Sequence, residues 1–242
     1  MGDTSEPKHG NWAVGITTYN RPDVLEFTLS QFDKFDGDVI VVDDHSDKGC
    51  SDRCIRNKTR LGIARSKNKC IELLKDYDRI FLFDDDCFPI KDKWWEVYQG
   101  EHHFVHAHHI PQYVNRYVGR NAWWNGCLGC CMMIDQTVLK ECGGMDARFG
   151  LYGFEHVEYS QRIYRSGLIP YPYITPKNIT EYIWSMDAQG GYDGFKWNGF
   201  HNGNNWVGAS TIPEAEKNKI IKSNEKLFNQ TAGSKGFLPY VA

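Results

Sequence analysis

The 242-residue chain lacks any apolar run long enough to span a bilayer, which excludes a transmembrane helix. It also lacks the basic and then apolar opening of a secretory signal peptide. Met1-Gly2 does not begin a myristoylation signal, because Glu6 stands where that signal requires serine or threonine. These absences predict a soluble, cytoplasmic protein.

The chain has little net charge of either sign. Its 28 Lys and Arg against 31 Asp and Glu give a formal net charge of −3, which offers nucleic acid no overall attraction. A net charge of −3 does not exclude a local basic groove. Aromatic residues, at 14%, are abundant, and Trp and Tyr suit the stacking of sugars or bases.

The eight cysteines lack the second Cys-x-x-Cys pair that a structural zinc site would need. Without an export signal, free thiols are the expected state. Cys127, Cys130 and Cys131 are therefore interpreted as small buried residues of an apolar segment rather than metal ligands.

The chain also lacks internal repeats and low-complexity linkers, which favours a single domain. Apolar strands at 12–17, 38–42 and 80–83 alternate with helices at 22–33 and 64–76. This alternation predicts an α/β fold with a parallel sheet. We expect a flexible N-terminus over 1–10, one domain over 11–210, and a C-terminal helix and tail over 211–242. Within the domain, we expect a nucleotide-binding half at about 11–90 and an acceptor half at about 91–210.

Polar clusters follow three of these strands, at Thr17–Arg21, Asp43–Ser46 and Asp84–Asp86. Ligands of parallel sheets bind outside the carboxyl ends of the strands, so we expect the clusters to line one crevice. Asp84 and Asp86 are two residues apart and project to the same side. Their oxygens suit Mg²⁺ or Mn²⁺, and the alternative is a solvated acidic turn.

Five histidines lie within residues 102–109. His102, His106 and His108 share one face of a predicted strand, which could hold a metal ion. The alternative is a half-exposed strand without a ligand.

Five segments, in this order, resemble nucleotide-sugar-dependent glycosyltransferases of the GT-A fold, especially their family 2-like group. They are VGITTYNRP at 14–22, VVDDHS at 41–46, LGIARSKN at 61–68, FDDD at 83–86, and GGMD with YGFEHVE between 143 and 158. The last also resembles the acceptor motif of galactosyltransferases. The match covers about residues 12–168. It implies a GT-A, Rossmann-like fold in which helices flank a mostly parallel central sheet, as a single domain with a C-terminal elaboration.

The resemblance implies a role for each member of the aspartate run. Asp86, aligned with the DxD metal site, would bind the ion, and Asp84 would approach the ribose and share the metal. Asp85 could share either duty. His201, in a late loop, could be a third metal ligand, because related enzymes often supply a late histidine; it could equally be a loop residue without such a role.

Further residues of the motifs are expected to bind the nucleotide sugar. Asp44 would contact the nucleobase, with Thr17, Tyr19 and Arg21 nearby. Arg65 could face the nucleotide or diphosphate, or could be a surface arginine that opens a helix.

The acceptor hydroxyl needs a base. Glu155 and Glu158 lie three residues apart at a helix start, where they share one face. The family pattern has Glu-Asp where this chain has Glu155-His156, so either residue could take the proton. The structural alternative is that these acids complement the helix dipole. Apolar platforms for sugar or acceptor could come from Trp123, Trp124 and Trp197, with packing as the competing account.

The resemblance implies a metal-dependent glycosyltransferase that uses Mn²⁺ or Mg²⁺ and a nucleotide diphosphate sugar. UDP is the nucleotide that we expect. A carboxylate base would give inversion. The expected acceptor is a glycan, a lipid-linked sugar or a protein. One alternative is a phage-type enzyme that glycosylates hydroxymethylated pyrimidines in DNA, and another is a non-catalytic sugar- or nucleotide-binding protein. Nucleotidyl transfer is disfavoured, because the loop Thr17–Arg21 lacks a glycine cluster.

Overall fold

The computed structural model of the protein describes residues 11–50, 53–107, 111–189, 192, 201–202, 205–206 and 212–240. Segment 1–10, predicted to be flexible, lies outside these residues. The strands are β1 (Trp12–Thr18), β2 (Asp38–Asp43), β3 (Cys54–Arg56), β4 (Arg79–Asp84), β5 (Cys87–Pro89), β6 (His103–Val105), β7 (Val114–Val118), β8 (Asn121–Trp124), β9 (Cys131–Asp135), β10 (Ile174–Pro176), β11 (Ile183–Ser185), β12 (His201–Asn202) and β13 (Asn205–Trp206).

The α-helices are α1 (Pro22–Phe32), α2 (Ile63–Leu74), α3 (Gln136–Cys142), α4 (Glu155–Arg165), α5 (Met186–Gln189) and α6 (Glu214–Thr231). Within the described ranges, none of these helices combines the length and apolar character needed to cross a bilayer.

Six strands form the central sheet, in the order β3-β2-β1-β4-β9-β6. The first four are parallel, and β9 runs antiparallel to both β4 and β6. The predicted α/β class with a mostly parallel sheet is confirmed. The chain leaves β1 towards β2 and later returns to β4 on the other side of β1. The carboxyl ends of β1 and β4 therefore meet at a topological switch point, where such sheets bind ligands.

The sequence explains the elements that lead to this point. All seven residues of β1 are buried, as expected for a parallel strand covered on both faces. Pro22 opens α1, where its fixed φ suits the first turn. Gly62 precedes α2 with a φ of +86°, and a Cβ there would lie 2.2 Å from the carbonyl oxygen of Gly150. Only glycine fits this approach, which brings α2 against the loop at residue 150.

An aromatic core supports the sheet. Trp94 is fully buried, and its ring lies edge-on to Trp12 and Phe81 at centroid distances of 5.3 and 4.8 Å. Trp12 begins β1, and Phe81 lies within β4. The two strands that carry the switch point therefore share one rigid packing unit.

The second half of the chain departs from the predicted elements. Within its described residues, 102–107, the histidine-rich segment forms a strand over His103–Val105, and His108 lies outside the described residues. β9 begins at Cys131. Gly129 has a φ of +72°, which a strand does not permit. This glycine places an irregular loop, rather than a strand, beside the switch point.

The cysteines depart in part from the prediction of free thiols. Cys50 and Cys54 are joined in a disulfide. The other six cysteines are free and buried, namely Cys70, Cys87, Cys127, Cys130, Cys131 and Cys142.

Candidate active site

A cleft opens where β1 and β4 end. Six of the predicted site residues line it: Thr17, Tyr19, Arg21, Asp44, Asp84 and Asp86. Thr17 and Asp84 are paired in register across the two strands, which fixes their positions relative to each other. The three polar strand ends predicted to line one crevice thus converge.

The three consecutive aspartates face two directions. Asp84 and Asp86 line the cleft, whereas Asp85 is fully buried away from it. Thr18 Oγ1 donates to Asp85 at 2.6 Å, and Arg21 forms an ion pair with the same carboxylate. Burial raises the pKa of Asp85, although the charge of Arg21 opposes the rise. The contacts of Asp85 are therefore with the protein, which separates it from its two neighbours.

Protein cations partly neutralise the two cleft aspartates. Lys67 Nζ lies 2.8 Å from Asp84 Oδ1, and Arg21 Nη1 lies 2.8 Å from Asp86 Oδ2. Asp86 Oδ1 is buried and has no hydrogen-bond partner among the described residues. A buried carboxylate oxygen without a donor is costly, and a hard divalent cation would satisfy it. The oxygens of Asp84 and Asp86 therefore fit Mn²⁺ or Mg²⁺.

Asp44 is held by backbone donors. The amides of Leu61 and Gly62 donate to its two oxygens at 2.7 and 2.8 Å, and Asn57 Nδ2 donates to Oδ1 at 3.0 Å. The carboxylate therefore joins the end of β2 to the start of α2. Its predicted contact with a nucleobase stays a prediction.

Two basic residues that sequence reasoning missed lie at the site. Arg60 lines the cleft with its guanidinium 3.9 Å above the ring of Tyr19, a cation–π contact. Lys67 is buried beneath Asp84 and also donates to the carbonyl oxygen of Gly129 at 2.7 Å. The structure does not bring Arg65 to the cleft lining, because its side chain points outward from α2.

Buried Glu155 and partly exposed His156 form a pair at the start of α4. Nδ1 of His156 lies 2.8 Å from Oε1 of Glu155, and Glu155 Oε2 has no hydrogen-bond partner among the described residues. Burial favours the neutral form of each group, yet their mutual attraction lowers the pKa of Glu155 and raises that of His156. The pair is therefore ionic. Neither residue is among those that line the cleft, and the charge of Lys67 acts on Glu155 as well as on Asp84.

Gly129 permits this arrangement. A Cβ at Gly129 would lie 2.4 Å from Cγ of His156. The glycine thus allows the loop before β9 to contact the imidazole while its carbonyl holds Lys67.

The structure does not bring Glu158 to the cleft. Its side chain is buried and accepts a hydrogen bond from Arg162 Nε at 2.9 Å, one turn along the same helix. Arg162 also donates to the carbonyl oxygens of Cys142 and Gly144. Glu158 therefore neutralises an arginine that fastens α4 to the loop after α3.

The predicted tryptophan platforms do not line the cleft either. Trp124 is buried, and its Nε1 donates to Thr175 Oγ1 at 2.7 Å. Trp123 is half-buried and stacks on Tyr171 at 5.0 Å. His201 lies in β12, its side chain is outside the described part of the chain, and so is Trp197.

The C-terminal helix α6 forms one wall of the cleft. Ile212, just before it, and Lys217, in its first turns, belong to the lining. Asn224 Nδ2 donates to the carbonyl oxygens of Phe149, Tyr152 and Gly153 at 2.5, 2.8 and 2.9 Å. These bonds fix α6 against the loop that precedes α4.

The chain was compared with family models, with the sequences of known proteins and with solved structures. No family model matches the chain. A protein named "Uncharacterized glycosyltransferase R363", from Acanthamoeba polyphaga mimivirus, is 27% identical over 207 residues, covering 70% of this chain and 79% of the relative.

Two solved structures share the fold. The mannosyltransferase PcManGT of Pyrobaculum calidifontis, solved with GDP-Man and Mn²⁺, superposes with a TM-score of 0.55 at 15% identity, over 72% of this chain and 56% of that one. GalNAc-T7, solved with UDP, GalNAc and Mn²⁺, gives a TM-score of 0.52 at 15% identity, over 67% and 42%. The chain thus spans about half the length of these two proteins. The resemblance inferred from the five sequence segments is confirmed: this is a protein of the GT-A glycosyltransferase fold, and its sequence is similar to that of a viral glycosyltransferase.

Proposed function

We propose that the chain transfers a glycosyl group from a nucleotide diphosphate sugar to an acceptor hydroxyl. The proposed donor is a UDP-sugar. The observation that carries the proposal is the pair Asp84 and Asp86 at the switch point, with one buried carboxylate oxygen lacking a donor among the described residues. Mn²⁺ or Mg²⁺ held by this pair would neutralise the negative charge that develops on the departing diphosphate. PcManGT and GalNAc-T7 were solved with Mn²⁺ and a nucleotide or nucleotide sugar, which supports such an occupant.

The rest of the lining suits the nucleotide. Tyr19, stacked under Arg60, offers a flat face for a nucleobase, and Asp44 lies at the same end of the sheet. Lys217 supplies a positive charge to the lining from α6, where it would attract a diphosphate. We propose the single domain 11–210 as the catalytic unit, with Ile212 and Lys217 completing its cleft.

The proposed reaction is a single displacement. The acceptor oxygen attacks the anomeric carbon, the bond from that carbon to the diphosphate oxygen breaks, and the nucleoside diphosphate leaves. Glu155 does not itself line the cleft, so it takes the acceptor proton through one bridging water. Its lowered pKa keeps it ionised at neutral pH. His156 orients Glu155 through their 2.8 Å contact. Attack on the face opposite the leaving group inverts the anomeric centre.

The proposed acceptor is a glycan, a lipid-linked sugar or a protein. The net charge of −3 does not favour DNA as the acceptor.

Donor hydrolysis across UDP-, GDP- and dTDP-sugars with Mn²⁺ tests the activity and identifies the nucleotide. Calorimetry with UDP, with Mn²⁺ and then with EDTA, tests the role of the metal. We expect UDP to bind at least ten-fold more tightly with Mn²⁺. Equal affinity after chelation would contradict the metal bridge. UDP binding without hydrolysis or transfer of any sugar would instead favour a non-catalytic binding protein.

A further inference from the structure

A second group of potential metal ligands lies in the core behind the aspartates. Cys87 is the first residue of β5, His106 directly follows β6, and Cys130 directly precedes β9. One ligand atom of each lies within 4.8 Å of the other two. His106 Nδ1 and Cys130 Sγ are 3.2 Å apart, and all three side chains are buried.

We propose that Cys87, His106 and Cys130 bind a thiophilic metal ion, Zn²⁺, at a site separate from the cleft. Zinc bonds of about 2.3 Å to sulfur and about 2.0 Å to nitrogen separate neighbouring ligands of a tetrahedral ion by roughly 3.5 Å. The 3.2 Å between His106 Nδ1 and Cys130 Sγ is close to that value, and all three ligand atoms lie within 4.8 Å of one another. Thiolate and imidazole ligands select zinc over the harder ions that Asp84 and Asp86 suit, so the two sites differ in chemistry.

The surroundings agree with a bound ion. The ligands come from the ends of three strands, which fix their positions more firmly than a loop would. Ser185 Oγ donates a hydrogen bond to Cys130 Sγ at 3.3 Å, so a polar group lies beside the cluster. An ion bound by two thiolates and an imidazole carries little net charge, which suits a buried site.

The position of the cluster next to the aspartates also indicates a role for the ion. Cys87 follows Asp86 directly, and the carbonyl oxygen of Cys130 accepts the amide of Asp84 at 2.8 Å. Zinc would therefore fasten both ends of the aspartate run to β6 and β9 and hold the carboxylates in place. This is a positioning role, and it rests on contacts that the glycosyl-transfer proposal does not use.

Metal content tests the proposal directly. The full chain is produced with zinc in the medium, desalted and analysed by mass spectrometry of metals. We expect about one Zn²⁺ per chain in the wild type and in Cys70→Ser, which changes a buried thiol outside the cluster. We expect at least a five-fold loss of zinc in Cys87→Ser and Cys130→Ser. A folded wild type without zinc would overturn the proposal, as would variants that retain it.

Cobalt substitution in the wild type keeps the test valid if the cysteine variants fail to fold. Co²⁺ at the proposed site would give an intense near-ultraviolet band from thiolate-to-metal charge transfer. Co²⁺ on the oxygens of Asp84 and Asp86 would give none, and that result would overturn the proposal. Asp86→Asn should keep the band even though it removes a ligand of the cleft, so this outcome is independent of whether the chain transfers sugar.

Discussion

The ammonium group of Lys67 lies 2.8 Å from the carboxylate of Asp84, inside the protein and beneath the cleft. Its charge also acts on Glu155, the proposed base. One buried lysine therefore interacts electrostatically with the residue that would hold the donor's metal and with the residue that would deprotonate the acceptor. Burial alone would lower the pKa of Lys67, but Asp84 raises it, so the group remains charged.

Replacing Lys67 with methionine should destabilise the protein by about 1–3 kcal/mol, because it removes the buried donor of Asp84, a carboxylate that is itself partly exposed in the cleft. The matched control is Lys69→Met on the same helix. Lys69 pairs with Glu72 near the surface, and its loss should cost about 0–1 kcal/mol. Urea unfolding measures both. Equal losses in the two variants would contradict the role of Lys67.

Asp86→Asn should weaken Mn²⁺-dependent binding of UDP by about 10- to 100-fold, because it removes a carboxylate from the proposed ion. Asp85→Asn should instead lower the free energy of unfolding by about 3–5 kcal/mol, because Asp85 is the buried partner of Arg21. Calorimetry and urea unfolding on both variants separate the roles. The assignment fails if Asp85→Asn alone abolishes the effect of Mn²⁺ on a folded protein.

Glu155→Gln should bind UDP as the wild type does and lose at least 100-fold in transfer, the usual contribution of general base catalysis. His156→Gln should retain the base but remove the charge that lowers its pKa. The acid limb of the pH–rate profile should then shift to higher pH, since Glu155 becomes protonated more readily. An unshifted limb would show that His156 does not tune Glu155.

His103 should make stability depend on pH. It is fully buried between Met133 O and Ser160 Oγ, and burial lowers its pKa to about 4. The unfolded chain, with a histidine pKa of about 6.5, binds the proton more readily, so stability is fully present above that pH. It should fall by about 3 kcal/mol as the pH drops from about 6.5 to about 4.

Urea unfolding at several pH values checks this expectation. His103→Gln should flatten the change between pH 6.5 and pH 4. His102→Gln, an exposed neighbour paired with Asp135, serves as the control. A slope that survives in His103→Gln would assign the proton to another group.

Local patterns in the sequence predicted the sheet and the aspartates. Alternation of strands and helices placed Asp84 and Asp86 at a strand end, and the two-residue period of an extended chain put them on one side. The two-residue alternation of side chains does not identify the partner of Asp85, which the structure shows. That partner, Arg21, comes from a different strand end.

The same local rules failed for Lys67 and Glu158. A lysine in a helix is normally solvated, so the residue type alone does not predict the burial of Lys67, although this lysine shares a helix face with Ala64 and Ile71. Its position on the apolar face of the helix is the feature of the sequence that indicates burial of Lys67. Glu158 looked catalytic because it lies near Glu155, but Arg162, one turn further on, occupies its carboxylate. Partner choice inside a protein depends on tertiary contacts, which a sequence pattern does not contain.

The three carbonyl oxygens bound by Asn224 have a practical consequence for anyone who shortens this protein. A chain cut at residue 210 would match the predicted catalytic domain, yet it would leave those carbonyls without their common donor and remove Ile212 and Lys217 from the cleft. Residues 212–240 are therefore needed to complete the cleft of the proposed catalytic domain. Affinity tags and fusion partners belong beyond residue 240 or at the other terminus.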